Sequence, residues 1–171
     1  GERGYLQASA RTNGKRLALA NYLTATVEGK RPSVEIQRTG KSAVLMPAAE
    51  KVVVVLRAQD RISYKNWMTD ALFLALDDRS NIFVDDMTFL NQEGGPFLLA
   101  EKPIGLNVKR QDHGLLIHFH AEEKSWFRIR METKPQAVKV NGRSRKDWFY
   151  DRESSLVSIV LPGGQGVVTI E

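Results

Sequence analysis

Apolar and polar residues alternate twice between Leu115 and Met131. They do so first through Leu115-Leu116-Ile117-His118-Phe119-His120 and again through Trp126-Phe127-Arg128-Ile129-Arg130-Met131, with Ala121-Glu122-Glu123-Lys124-Ser125 between. A helix would scatter residues two apart onto opposite sides, whereas a strand collects them on one face. Leu115, Ile117, Phe119, Phe127, Ile129 and Met131 therefore form a core face, and His118, His120, Trp126, Arg128 and Arg130 an outer one. The segment reads as a β-hairpin with residues 121–125 as its loop. That register sets His120 across from Trp126 and His118 across from Arg128.

The same rhythm extends along the chain. Strands are expected at Tyr5–Arg11, Arg16–Val27, Ser33–Arg38, Ala43–Met46, Lys51–Ala58, Ala71–Asp77, Ile82–Leu90, Phe97–Ala100, Gly105–Arg110, Leu115–His120, Trp126–Glu132, Ala137–Asn141, Trp148–Tyr150, Leu156–Leu161 and Val167–Ile170. Asn13-Gly14, Glu93-Gly94-Gly95-Pro96, His113-Gly114, Asn141-Gly142 and Pro162-Gly163-Gly164-Gln165-Gly166 supply turns, with Asn141-Gly142 suited to a type I′ hairpin. Tyr64–Leu74 has some helical spacing, but Ala71-Leu72-Phe73-Leu74-Ala75-Leu76 reads better as a buried strand, with Ser63–Thr69 as a loop. Four consecutive valines, Val52 to Val55, mark a strand covered on both faces. The expected fold is all-β, an antiparallel two-sheet sandwich, in one domain spanning residues 1–171.

Composition narrows the function. No apolar run approaches the ~18 residues of a membrane span. The absence of cysteine removes thiol catalysis and thiolate metal sites. A net charge of +5 favours polyanions, but 25 basic residues face 20 acidic ones with no run of five like charges, which argues against a nucleic-acid arm. The opening Gly1-Glu2-Arg3-Gly4-Tyr5 has no apolar signal segment and leads directly into a strand-like pattern, as in a piece of a larger protein.

No catalytic motif is present: there is no Gly-x-Ser-x-Gly elbow, phosphate loop, dinucleotide fingerprint or His-Glu-x-x-His, so no catalytic residue and no cofactor is assigned. His118 and His120 have the spacing to share a metal, but Asp112, His113 and the Asp85-Asp86 pair have no fixed approach to them. Two solvent-facing histidines are the simpler reading, and no metal site is assigned. Asp77-Asp78 and Asp85-Asp86 flank a hairpin turn rather than a calcium loop. Trp67 and the Trp148-Phe149-Tyr150 cluster are expected to pack on the core. His118, His120, Trp126, Arg128 and Arg130 remain as a candidate ligand face, able to stack on a sugar ring and pair with carboxylate or sulfate groups.

The final third resembles the closing strands of β-sandwich domains appended to bacterial polysaccharide-degrading enzymes. The residues concerned are Lys134-Pro135-Gln136-Ala137-Val138-Lys139-Val140-Asn141-Gly142, Asp147-Trp148-Phe149-Tyr150-Asp151, Leu156–Pro162 and Gly166–Ile170. The earlier segments Tyr5–Arg11, Leu17–Thr24 and Trp67–Ala75 look similar to the C-terminal sandwich of heparinase II/III-like lyases. The resemblance implies a non-catalytic accessory domain of an exported, periplasmic or secreted enzyme. Its implied partners are the catalytic domain of the same parent chain and acidic polysaccharide; the dispersed charge and the short apolar runs leave neither nucleic acid nor a membrane span expected. A carbohydrate-binding module, and a small lyase or hydrolase using His118 or His120 as general base, are the alternatives.

Overall fold

The computed structural model describes residues 34–39, 42–47, 52–56, 61–77 and 81–171. The expected strands Tyr5–Arg11 and Arg16–Val27, the turn Asn13-Gly14, and the side chains of Val52 to Val55 lie outside the described residues. Among the described residues the protein is all-β and antiparallel, with no helix. Among those residues no helix is long and apolar enough to cross a membrane.

Among the described residues fifteen strands are joined in one branched hydrogen-bonded ladder. They are β1 (Val34–Thr39), β2 (Ser42–Pro47), β3 (Val52–Leu56), β4 (Ile62–Tyr64), β5 (Trp67–Thr69), β6 (Phe73–Asp77), β7 (Ile82–Gln92), β8 (Gly95–Gln111), β9 (Gly114–Ala121), β10 (Ser125–Arg130), β11 (Val138–Val140), β12 (Arg143–Ser144), β13 (Phe149–Asp151), β14 (Leu156–Leu161) and β15 (Gly164–Ile170). The strand preferred over a helix at Ala71–Asp77 is present as β6, paired with β3 and β7.

The branch point is the long β7–β8 hairpin. Expected as two strands, Phe97–Ala100 and Gly105–Arg110 are one strand of 17 residues. Its two ends pair with different neighbours: Leu98–Ala100 with β10, and Ile104–Gln111 with β9. Pro103, which has no N–H for a ladder, lies between these stretches. The facing strand β7 shifts register between Val84 and Met87, between Met87 and Phe89, and again between Leu90 and Asn91. Such shifts bend a strand and re-aim its pairing. Accordingly β7 pairs with β6 up to Asp85 and with β5 from Leu90 onward. The expected loop Ser63–Thr69 is in fact the hairpin β4–β5, turned at Lys65 with φ 50°.

Asp70 holds the bend in place. Its carboxylate accepts the backbone N–H of Thr88 at 2.9 Å and of Phe89 at 2.9 Å, as well as the Thr88 hydroxyl. These amides sit where the register shift disturbs regular pairing, so a side chain supplies the acceptors.

After β9 the chain alternates between branches. β9 pairs with β8 and β15, β10 with β8 and β14, β11 with β15, and β13 with β14. Residues expected on the core face are buried: Ile117 and Phe119 on β9, Phe127 and Ile129 on β10. With Leu106, Val108, Leu98, Ile159, Leu161, Val168 and Ile170 they form one cluster shared by both branches. Asn141 and Gly142, at φ 51° and 74°, turn β11 into β12 as a type I′ hairpin requires.

Candidate functional site

The two halves of the predicted hairpin are strands, but they do not pair with each other. β9 lies between β8 and β15, whereas β10 lies between β8 and β14. His120 stands beside Gly105 and Gln165 instead of Trp126, and His118 beside Asn107 and Val167 instead of Arg128. Residues 122–124 carry the chain from one branch to the other. Lys102, at the fork of β8, pairs with Glu123 of that crossing at 2.6 Å. The expected single patch is thus divided into two faces, although every one of its residues points away from the core as alternation requires.

On the β9 branch, His118 and His120 are exposed. Gly105 leaves open the space beside His120: a Cβ there would lie 3.0 Å from Asp85 Oδ1 and 3.7 Å from His120 Cβ. The Asp85 carboxylate therefore lies over Gly105, whose neighbour in the next strand is His120. Phe83, 45% exposed, stands in the row Phe83, Asn107, His118 and packs edge-on against Phe73 at 5.5 Å. Among the described residues no three histidine, aspartate or glutamate side chains are grouped to hold a metal ion.

On the β10 branch, the Arg128 guanidinium lies 4.8 Å from the centre of the half-buried Trp126 ring. Arg128 is flanked by Leu99 and Ser158, and Ser158 by Phe149, which is 65% exposed. Trp148 and Tyr150 pack against the core as expected, and Phe149 does not. Asp151 is held below the usual carboxylate range because the Ser154 hydroxyl and the Glu153 N–H donate to it, with Arg128 adding a favourable charge.

Arg130 leads to a third feature. It donates to the Gly94 carbonyl at 3.3 Å and lies at the rim of a cleft of about 850 Å³. Gly95, at φ 122°, permits this approach, since a Cβ there would stand 3.2 Å from the guanidinium. The cleft is framed by the β4–β5 hairpin, the β8–β9 turn and residues 131–136. One wall carries Trp67 against Phe97, edge to face at 5.5 Å. Both are partly buried on the core, yet both also line the cleft.

Charges of both signs surround that wall. Arg110, Arg130 and Lys134 are cationic; Asp77, Asp112, Glu132 and Glu171 are anionic. Two of the four carboxylates are engaged elsewhere: Asp77 accepts from Asn81 at 2.8 and 2.7 Å, and Glu171 pairs with Lys139 at 2.6 Å. Of the expected ligand residues only Arg130 reaches this cleft. Trp67 was visible in the sequence as an aromatic loop residue, but Phe97 and the closing segment Met131–Gln136 had no local signal.

The sequence matches no protein-family model and no curated protein.

Proposed function

We propose that this chain is a non-catalytic accessory β-sandwich module of an exported polysaccharide lyase or glycoside hydrolase, located in the periplasm or outside the cell. It supports the catalytic domain of the same parent chain and contacts acidic polysaccharide. The carrying observation is the outer face of β10 and β14, where Phe149 is 65% exposed in a row with Ser158, Arg128 and Leu99, beside Trp126. Exposed aromatic residues combined with arginine are the composition of an interface core. One core shared by both branches of the ladder is what two sandwich layers need in order to close on each other. The residues that carry the resemblance to closing sandwich strands lie in and around β11 to β15, with Asn141-Gly142 as a turn.

A second reading, an independent carbohydrate-binding module, is favoured by the cleft that Trp67 and Arg130 line. Incubating the chain with a panel of neutral and acidic polysaccharides tests the accessory role. No release of new reducing or unsaturated ends is the expected result. Turnover abolished by His118→Ala or His120→Ala would overturn it in favour of a small stand-alone lyase or hydrolase.

A further inference from the structure

The cleft beside β5 and β8 combines three properties: concavity, an aromatic wall and opposed charges. Its volume of about 850 Å³ falls within the ~300–1,000 Å³ of ordinary ligand sites. We propose that it binds a uronate-bearing oligosaccharide, with the Trp67–Phe97 wall stacking on a sugar ring and Arg130 pairing with a ring carboxylate.

The chemistry follows from the lining. A pyranose offers an apolar C–H face, a rim of hydroxyl groups and, in a uronate, one carboxylate. The Trp67–Phe97 wall supplies an apolar surface for the first. Asp112 and Glu132 form no ion pair among the described residues and can accept from hydroxyl groups. Arg130 uses one N–H on the Gly94 carbonyl and retains further donors in its planar fork, the geometry that receives a carboxylate. Arg110 and Lys134 reinforce the positive charge. With two carboxylates remaining beside three cations, the site favours a uronate, with one carboxylate per ring, over a densely sulfated chain, whose additional charges would meet Asp112 and Glu132.

The assignment rests on the proposed role in acidic polysaccharide degradation, and its test separates the two. Titrate the ¹⁵N-labelled chain with trigalacturonate, cellotriose and triglutamate while following the indole N–H signals of Trp67, Trp126 and Trp148. Repeat with Arg130→Gln, and use Trp67→Phe to assign the Trp67 signal by its loss; the rest of the spectrum reports whether each variant keeps the fold. Saturable movement of the Trp67 signal by trigalacturonate alone, weakened about tenfold in Arg130→Gln and reduced by added salt, supports the proposal. Equal binding of cellotriose would overturn the carboxylate role, and equal binding of triglutamate the sugar assignment. Binding that moves only Trp126 would overturn the cleft while leaving the polysaccharide role intact. No binding of any probe at millimolar concentration would overturn the cleft too, with the accessory role still judged by the turnover experiment.

Discussion

Asn141 and Val167 are locked together twice. The backbone N–H of Asn141 donates to the Val167 carbonyl at 2.8 Å, and the Val167 N–H donates to Asn141 Oδ1 at 2.8 Å. Asn141 does this at φ 51°, a left-handed conformation that asparagine tolerates better than most residues. One side chain thus makes the β11–β12 turn and ties it to β15.

Two substitutions separate these roles. Asn141→Gly keeps the backbone freedom and loses the side-chain acceptor, costing about 1 kcal/mol. Asn141→Ala loses the acceptor and also strains the turn, adding ~1–2 kcal/mol. Urea unfolding of both variants measures the difference, and equal stabilities would refute the backbone contribution.

Glycines in this fold differ sharply in what they permit. A Cβ at Gly114 would lie 1.8 Å from the Ile170 carbonyl oxygen, and one at Gly166 would lie 2.4 Å from Asn141 Oδ1 and 2.5 Å from Phe119 Cζ. At Gly142 nothing stands within 4 Å. Gly114→Ala should cost roughly 3–5 kcal/mol or prevent folding, because backbone must move, whereas Gly142→Ala should cost only ~1–2 kcal/mol for its positive φ. Thermal unfolding of the pair ranks them. A Gly114→Ala protein as stable as Gly142→Ala would contradict this packing of β9 on β15.

Asp70 predicts a local effect as well as a global one. Asp70→Ala leaves the Thr88 and Phe89 amides without their acceptor and should destabilise by about 2–4 kcal/mol. Amide hydrogen exchange at Thr88 and Phe89 should accelerate more than exchange at Ile117 or Phe119. Uniform acceleration would show that the bend in β7 does not depend on this carboxylate.

The Arg145–Asp147 pair sets an acid dependence. The guanidinium donates from both Nε and Nη2 to the carboxylate, which lowers the Asp147 pKa from 3.8 to about 2. A carboxyl group with a lowered folded value contributes stability above its unfolded value and loses that contribution as pH falls through the folded one. The window is therefore from about pH 4 down to 2, and the effect is modest because both groups are exposed and screened. Carboxyl-carbon NMR should show Asp147 titrating near 2 and returning toward 3.8 in Arg145→Ala; an unchanged midpoint would exclude the pair as the cause.

Local pattern was enough to assign faces. Ile117, Phe119, Phe127 and Ile129 are buried, and His118, His120 and Arg128 exposed, because a strand's side chains alternate whichever strand lies beside it. Turns were equally legible where a backbone conformation demands particular residues, as at Asn141-Gly142. The failed hairpin had a warning in its loop: Ala121-Glu122-Glu123-Lys124-Ser125 contains no glycine, asparagine or proline to reverse the chain.

Alternation by itself determined which side of each strand meets the core, since that depends only on the geometry at successive Cα atoms. Pairing was decided by tertiary structure. It joins residues far apart in sequence, such as His120 with Gln165 and Arg128 with Ser158, through backbone groups that are chemically alike in every strand. The branch at β8 separated the histidines from Trp126 and brought Arg130 to the cleft with Trp67 and Phe97. Those neighbours depend on how distant strands pair and branch, a condition no single segment carries.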